Sequence, residues 1–408
     1  MHSRFTTLGA LLLKHQIIWK TPVFQIIDFS YLAEHKSALN FLFTLSDTQV
    51  DTLQANDIAL LDSISEVFPD AGKLAQGIKL PHSSTETLAL PAFWNIDIPG
   101  RKEQQLLAFS AALGLIDQAL LEWCCGKQHL SRLLAEVHQQ PALGLDIDSN
   151  LIAQARILAE KRPLSTRVES TCCDVLSNQA EQHIESKQHL IALHACGGLH
   201  TRLLKLAARH RTARISLSPC CYHRFLEDTD YQPLSQAGIN SGLGITQEQL
   251  RLAVRETQTA STSETRKRKT LQAWRLGFDC LQRDILQADS YLPTPSINSK
   301  ILQQDFQTFC QQVAALKGLK LNANINFDFY QEQGLFRFQR YERVELFRMV
   351  FRRALECWLV LDKALFLEEQ GYQCEISQFC RPEISPRNLL IQAVTRSEPL
   401  NQSTCESD

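Results

Sequence analysis

The sequence is short of the features that most readily disclose a function. Its 42 Lys and Arg against 44 Asp and Glu leave a formal net charge of −2. No chain-wide basic excess points to nucleic acid, so such a partner would have to be held by a local patch. No apolar span approaches the ~20 residues needed to cross a bilayer. Even the N-terminal "TTLGALLLKHQIIW" is interrupted by Lys14 and His15, and no small-residue cleavage site follows it. The expectation is a cytoplasmic protein with no membrane partner. The GxGxxG dinucleotide fingerprint is missing, as are CxxC and HxxxH pairs.

Thirteen cysteines are present, but they do not suggest a secreted scaffold. A chain of 408 residues is far too large for one, and six of the cysteines form the adjacent pairs 124/125, 172/173 and 220/221. Neighbouring Cα atoms lie ~3.8 Å apart, below the usual disulfide range of about 4.4–6.8 Å, so reduced thiols are expected. With 44% hydrophobic and 21% charged residues the chain is globular and long enough for two or three compact units.

Residues 1–95 read as a mainly helical N-terminal region, with apolar runs such as "FLFTL" and "IALLDSISEVF" broken by "FPDAG" and "LPHSS". From 96 to 225 short apolar runs alternate with helical patterns, which predicts βαβ units and a parallel sheet. The expected strands are "ALLEW" (119–123), "ALGLDI" (142–147), "RVESTCC" (167–173), "HLIALHA" (189–195) and "ARISLS" (213–218). Residues 226–340 read as a helical insertion, suited to substrate binding. In the segment 341–396 a long helix over 341–369, ended by Gly371 as C-cap, leads into two last strands, "YQCEISQFC" and "NLLIQAV". Residues 397–408 read as a disordered tail. The whole predicts an α/β fold: a Rossmann-like, seven-stranded, mostly parallel sheet with an antiparallel C-terminal hairpin, the class I methyltransferase layout.

In such a sheet ligands bind beyond the carboxyl ends of the strands, so the residues after each strand carry the question. After the first, "EWCCGKQHL" supplies Gly126 for a tight turn at a helix N-terminus. A turn this poor in glycine suits S-adenosyl-L-methionine, whose amino-acid end is zwitterionic, better than a pyrophosphate. After the second strand, Asp146 in "GLDID" stands where an acid would accept the ribose hydroxyls, 24 residues beyond Glu122. After the third, Asp174 in "CCDVL" is placed to accept from an adenine amino group. A lone aspartate after a strand is also a common helix N-cap.

The set "EWCCGKQHLSR", "GLDID", "CCDV", "LHACGGLH" and "SPCCYH", continued by "FRRALECWLVLDKALFLEEQGY" and "SPRNLLI", resembles the methyltransferase-domain family that includes the methyltransferase-like 25 proteins, in a bacterial member. A more distant likeness is to eukaryotic tRNA 2′-O-ribose methyltransferases. The resemblance implies an S-adenosylmethionine-dependent enzyme. It assigns Glu122 and the turn Cys124, Cys125 and Gly126 to the methionine end of the cofactor, Asp146 to the ribose, and Asp174 with Val175 to the adenine. The family's turn reads closer to G-A-G-K-G, so Cys124 and Gln128 stand here in place of glycine, as small Cys124 can.

His194 and His223, beside Cys196 and Cys221, are the expected general bases; His194 also counts among the cofactor-binding residues. A hydrogen-bonded structural role accounts for the same histidines. Cysteines and histidines crowd the strand ends as a soft-metal site would. Within a strand, however, adjacent side chains point to opposite faces, which favours buried inert thiols and no obligate metal. For the acceptor, Arg266, Lys267, Arg268 and Lys269 form the best basic patch, with Trp274 and Arg275 suited to stacking and phosphate contact and Arg101 and Lys102 able to add to it. An RNA acceptor, tRNA or rRNA, is the expectation, by analogy with RNA methyltransferases. The alternatives are a protein or small-molecule methyltransferase, or a non-catalytic scaffold that binds S-adenosylmethionine.

Overall fold

The runs that read as strands are strands because both of their faces are covered. In the computed structural model, which describes residues 1–83, 88–90, 94–95, 98–161, 167–255 and 262–396, β1 (Leu120–Trp123) and β4 (His189–Ala192) are buried at every position. Continuous burial is what lets a parallel strand appear as an unbroken apolar run. β2 (Ala142–Asp146), β3 (Val168–Cys172) and β5 (Arg214–Leu217) join them, and the sheet has the order β3-β2-β1-β4-β5-β7-β6. β1 to β5 pair in parallel, with Leu120 opposite Ala142 on one side and His189 on the other. β7 (Leu389–Thr395) enters antiparallel between β5 and the edge strand β6 (Tyr372–Gln378), and Ile376 pairs with Ile391. On β6 burial alternates from Tyr372 to Ile376, as expected for an edge strand with one solvated face. All seven expected strands are present, and the order reverses between β1 and β4, where the site should lie.

The chain divides into two units. The first contains residues 1–13, 77–255 and 354–408; the second contains 14–76 and 256–353. Unit 2 therefore joins part of the N-terminal region to part of the expected insertion, an association that linear order does not reveal. Its core gathers Trp274, Phe278, Leu281, Phe306, Phe309 and Val313. The single long helix expected over 341–369 is two helices, Phe327–Met349 and Arg352–Glu369, separated at Val350 and Phe351. Gly371 does end the second one, at φ 89°. In unit 1, Asp362 on that helix accepts from Tyr231 Oη (2.7 Å), from Leu234 N (2.8 Å) and from both the amide and hydroxyl of Ser235 (3.0 and 2.7 Å), anchoring the segment that follows β5. No helix among the described residues is long and apolar enough to cross a membrane. The tail expected at 397–408 lies outside the described residues.

Candidate methyl-transfer site

The turn after β1 is built from left-handed backbone. Cys124 (φ 58°), Gly126 (φ 55°) and Gln128 (φ 57°) all adopt positive φ, so the two non-glycine residues occupy conformations that normally select glycine. The turn is locked from below. Cys125 N donates to Leu145 O at 2.9 Å and Gln128 N to Cys125 O at 2.8 Å. The buried Gln128 side chain lies across Gly144, where a Cβ would come within 2.8 Å of it, and donates to Glu169 O at 2.8 Å. Burial pushes the Cys124 and Cys125 thiols well up from their ordinary range, so both are protonated and act as small side chains, not nucleophiles.

Above the turn the space is open: a Cβ built at Gly126 meets nothing within 4 Å. The Gly126 amide donates to Asp146 Oδ2 at 2.8 Å, and the Asp148 amide to Asp146 Oδ1 at 3.0 Å. Asp146 is half-buried at the rim; Asp174 is exposed, with its Oδ1 accepting from Leu176 N at 2.9 Å, and Val175 is buried beside it. Open space over a glycine turn, flanked by two strand-end carboxylates with unused lone pairs, fits a nucleoside cofactor with a zwitterionic tail. Glu122 is placed differently. Its Oε2 accepts from Ser131 N (3.0 Å) and Ser131 Oγ (2.6 Å), serving the first turn of the helix His129–His138, whose N-cap Gln128 gives no side-chain cap. Burial raises the Glu122 carboxyl to about 7, against the opposing Ser131 hydrogen bonds and Lys102.

Beside this turn, the segments after β4 and β5 meet at Cys196 and Cys220. His194 Nε2 is 3.1 Å from Gln105 Oε1. Its enclosing surroundings, and secondarily Lys102, hold the imidazole down at about 4, although the ring keeps an exposed face. It is neutral at pH 7 and a weak base. Burial also lowers His223, whose carbonyl accepts from Gln247 Nε2 at 2.9 Å. His200 is buried against Ala195 O (3.1 Å) and held at about 3 by burial, a structural histidine. Cys196, Cys220 and Cys221 lie together at the ends of the two segments. Lys102 and Gln105, on the helix Gly100–Leu113, enter this site without having been singled out for it. Lys102, expected on an RNA-facing surface, is largely enclosed near Glu122 and Cys220, while Arg101 Nε donates to Ile384 O at 2.9 Å. The i, i+3 spacing of Lys102 and Gln105 ahead of β1 was their only signal.

The proposed acceptor patch is smaller than the sequence suggested. On the helix Thr262–Leu286, Arg266, Lys267 and Arg268 are exposed. Lys269 instead pairs with Asp51 (2.5 Å) and Glu342 (2.8 Å). Trp274, expected to stack on bases, is 9% exposed and packs against Phe306 and Phe309. A ring held inside a core is not available for stacking.

Residues 114–228 match a family model described as a methyltransferase domain. Among solved structures the chain is similar to geranyl diphosphate C-methyltransferase from Streptomyces coelicolor A3(2), in complex with Mg2+, geranyl diphosphate and S-adenosyl-L-homocysteine (15% identity over 34% of this chain and 55% of that one, TM-score 0.25). It is also similar to an RNA methyltransferase from Salinibacter ruber in complex with S-adenosyl-L-homocysteine (16% identity, 33% and 84%, TM-score 0.24). A third is precorrin-6y C5,15-methyltransferase from Geobacter metallireducens GS-15 (11% identity, 32% and 66%, TM-score 0.25). The matches span 55–62% of the length of the geranyl diphosphate methyltransferases. Residues 114–228 are thus similar to a methyltransferase domain, and the sheet they contribute to has a seven-stranded, mostly parallel order with an antiparallel C-terminal hairpin.

Proposed function

We propose that this chain transfers a methyl group from S-adenosylmethionine to RNA, tRNA or rRNA, and that it belongs with the methyltransferase-like 25 group. The observation that carries the cofactor half is the open space above Gly126 together with the Asp146 carboxylate that the Gly126 amide holds at 2.8 Å. When bound, S-adenosylmethionine would supply a methyl group activated on a sulfonium: the acceptor atom would bond to the methyl carbon and lose a proton, and the C–S electron pair would leave with S-adenosylhomocysteine.

The chain's own residues then bind and orient. Asp146 accepts from the ribose hydroxyls, Asp174 and Val175 hold the adenine, and the backbone of Cys124–Gly126 receives the amino-acid end. Glu122 acts from inside by fixing the start of the helix behind the turn. Because the methyl donor is activated, positioning supplies most of the rate and little base strength is needed. A neutral His194, steadied by Gln105, suits that demand as a hydrogen-bond acceptor for the attacking group. The RNA half rests on the three exposed cations Arg266, Lys267 and Arg268, which would contact phosphates without reading sequence.

Calorimetric titration with S-adenosylhomocysteine, followed by incubation of the full chain with methyl-labelled S-adenosylmethionine and total RNA, tests both halves. Micromolar binding and nuclease-sensitive label in RNA are expected. Failure to bind would sink the methyltransferase reading. Binding with label in protein or small molecules would replace the acceptor, and binding with no turnover on any pool would favour a scaffold.

A further inference from the structure

We propose that Cys196, Cys220 and Cys221 form a zinc site with three thiolate ligands and one open coordination position. Their sulfur atoms all lie within 4.8 Å of one another, and Cys196 Sγ is 3.5 Å from Cys220 Sγ. Tetrahedral zinc with Zn–S bonds of about 2.3 Å requires sulfurs about 3.8 Å apart. The thiols therefore stand close to the required triangle without backbone movement.

The backbone is arranged to make that triangle. Cys196 and Cys220 face each other in an isolated parallel bridge, and Gly197 N donates to Cys220 O at 3.0 Å. Gly198 N donates to Arg224 O at 2.9 Å, and Arg224 N to Cys221 O at 2.9 Å. Two glycines allow the segments to touch: a Cβ at Gly197 would lie 1.8 Å from Arg224 O, and one at Gly198 1.5 Å from Phe225 O. The objection that adjacent cysteines point to opposite faces holds for extended backbone. Cys221 is at φ 44°, a left-handed conformation that a non-glycine residue adopts only when its surroundings impose it. That turn brings the sulfurs of neighbouring residues 220 and 221 to one side.

The donor chemistry selects the metal. The cluster contains no carboxylate, so hard cations such as Mg2+ and Ca2+ find no oxygen ligands there, whereas soft thiolates suit zinc. Three thiolates on one dication leave a single negative charge, and the Lys102 and Arg224 cations interact with the cluster. Three protein ligands and an open fourth position is the pattern of a reactive zinc site, where a water or an acceptor atom completes the shell. The proposal stands apart from cofactor binding, since none of the three cysteines is assigned to the cofactor.

The test uses the full chain, stripped with chelator under reducing conditions and titrated with Zn2+ against a chromophoric competitor, then with Co2+ followed by absorbance. One zinc per chain is expected, with thiolate-to-cobalt charge-transfer and tetrahedral d–d bands for the cobalt form. Cys196→Ser and Cys221→Ser, both at half-buried positions, should each weaken zinc binding by at least about 100-fold. Cys172→Ser, at an exposed cysteine outside the cluster, should leave it unchanged. If Cys220→Ser fails to fold, the two half-buried variants decide. Absence of stoichiometric zinc, unchanged affinity in both variants, or a Cys196–Cys220 disulfide as the stable state of the stripped protein would overturn the assignment.

Discussion

The Gly126 amide donates to Asp146 Oδ2 at 2.8 Å, so the glycine turn after β1 and the acid after β2 are one structural unit. With Oδ1 taken by the Asp148 amide, the carboxylate is fixed in orientation while each oxygen keeps a lone pair for a ligand. Asp146→Ala should therefore act twice, removing the ligand's acceptor and freeing the Gly126 amide. A loss of S-adenosylhomocysteine affinity of about 10- to 100-fold is expected, from hydrogen bonds to a charged group worth about 1.5–3 kcal/mol. Calorimetry reads it directly, and unchanged affinity would move the cofactor elsewhere.

Much of this was legible in the sequence, and the part that was not has a physical pattern. Buried parallel strands are contiguous apolar runs, so "ALLEW" and "HLIALHA" disclosed themselves, and with them the positions of Asp146 and Asp174 at the strand ends. Residues that reach the site sideways left only a faint trace: the i, i+3 spacing of Lys102 and Gln105 in "GRKEQQ" does not by itself say that Lys102 is enclosed near Glu122 while Arg101 binds Ile384 O. Trp274 was misread because "RKRKTLQAWR" draws attention to its charges. The i, i+4, i+7 stripe Trp274, Phe278, Leu281, which marks a buried face, was the stronger signal. The φ of Cys221 depends on contacts between two segments more than 20 residues apart in sequence, which no local pattern encodes.

Glu122 gives a pH signature. Its carboxyl is raised from 4.5 to about 7 by burial. Between those values the folded chain retains a proton that the unfolded chain has released, so this group's contribution to stability declines as pH rises from about 4.5 to 7 and is flat above. Glu122→Gln preserves an acceptor for Ser131 and removes the charge. The variant should match the parent near pH 5 and exceed it at pH 8 by about 1–3 kcal/mol, given about 1.4 kcal/mol per pKa unit. Urea midpoints across this range measure the difference. Parallel pH profiles for the two proteins would show that Lys102 and Ser131 fully offset the burial.

Gly198→Ala should force apart the segments after β4 and β5. A Cβ there would lie 1.5 Å from Phe225 O, a backbone atom that cannot rotate away. The segment after β5 must then part from the one after β4, breaking the Gly198 N to Arg224 O hydrogen bond. Core-type strain of this kind costs about 1–3 kcal/mol or more. Hydrogen exchange should show the loss of protection confined to residues near 196–200 and 218–225, with S-adenosylhomocysteine binding reduced far less than turnover. Wild-type protection at both segments would contradict the geometry.

The two non-glycine residues with positive φ in the turn after β1 should respond oppositely to glycine. Cys124 is held at φ 58°, and burial keeps its thiol protonated, so Cys124→Gly mainly releases backbone strain. A left-handed L-residue costs about 1–2 kcal/mol, part of which glycine's larger unfolded-state entropy cancels, leaving a gain of up to about 1 kcal/mol. Gln128, at φ 57°, has the same strain to release, but its side chain covers Gly144 and donates to Glu169 O at 2.8 Å. Gln128→Gly empties that space, removes a buried side chain and takes the Gln128 hydrogen bond from the part-buried Glu169 carbonyl, which together cost about 1–3 kcal/mol, so the net change is destabilising. Urea unfolding of both variants should give midpoints on opposite sides of the parent's. If both glycines stabilised, the Gln128 side chain would carry no structural weight, and the strain at this turn would be a matter of backbone alone.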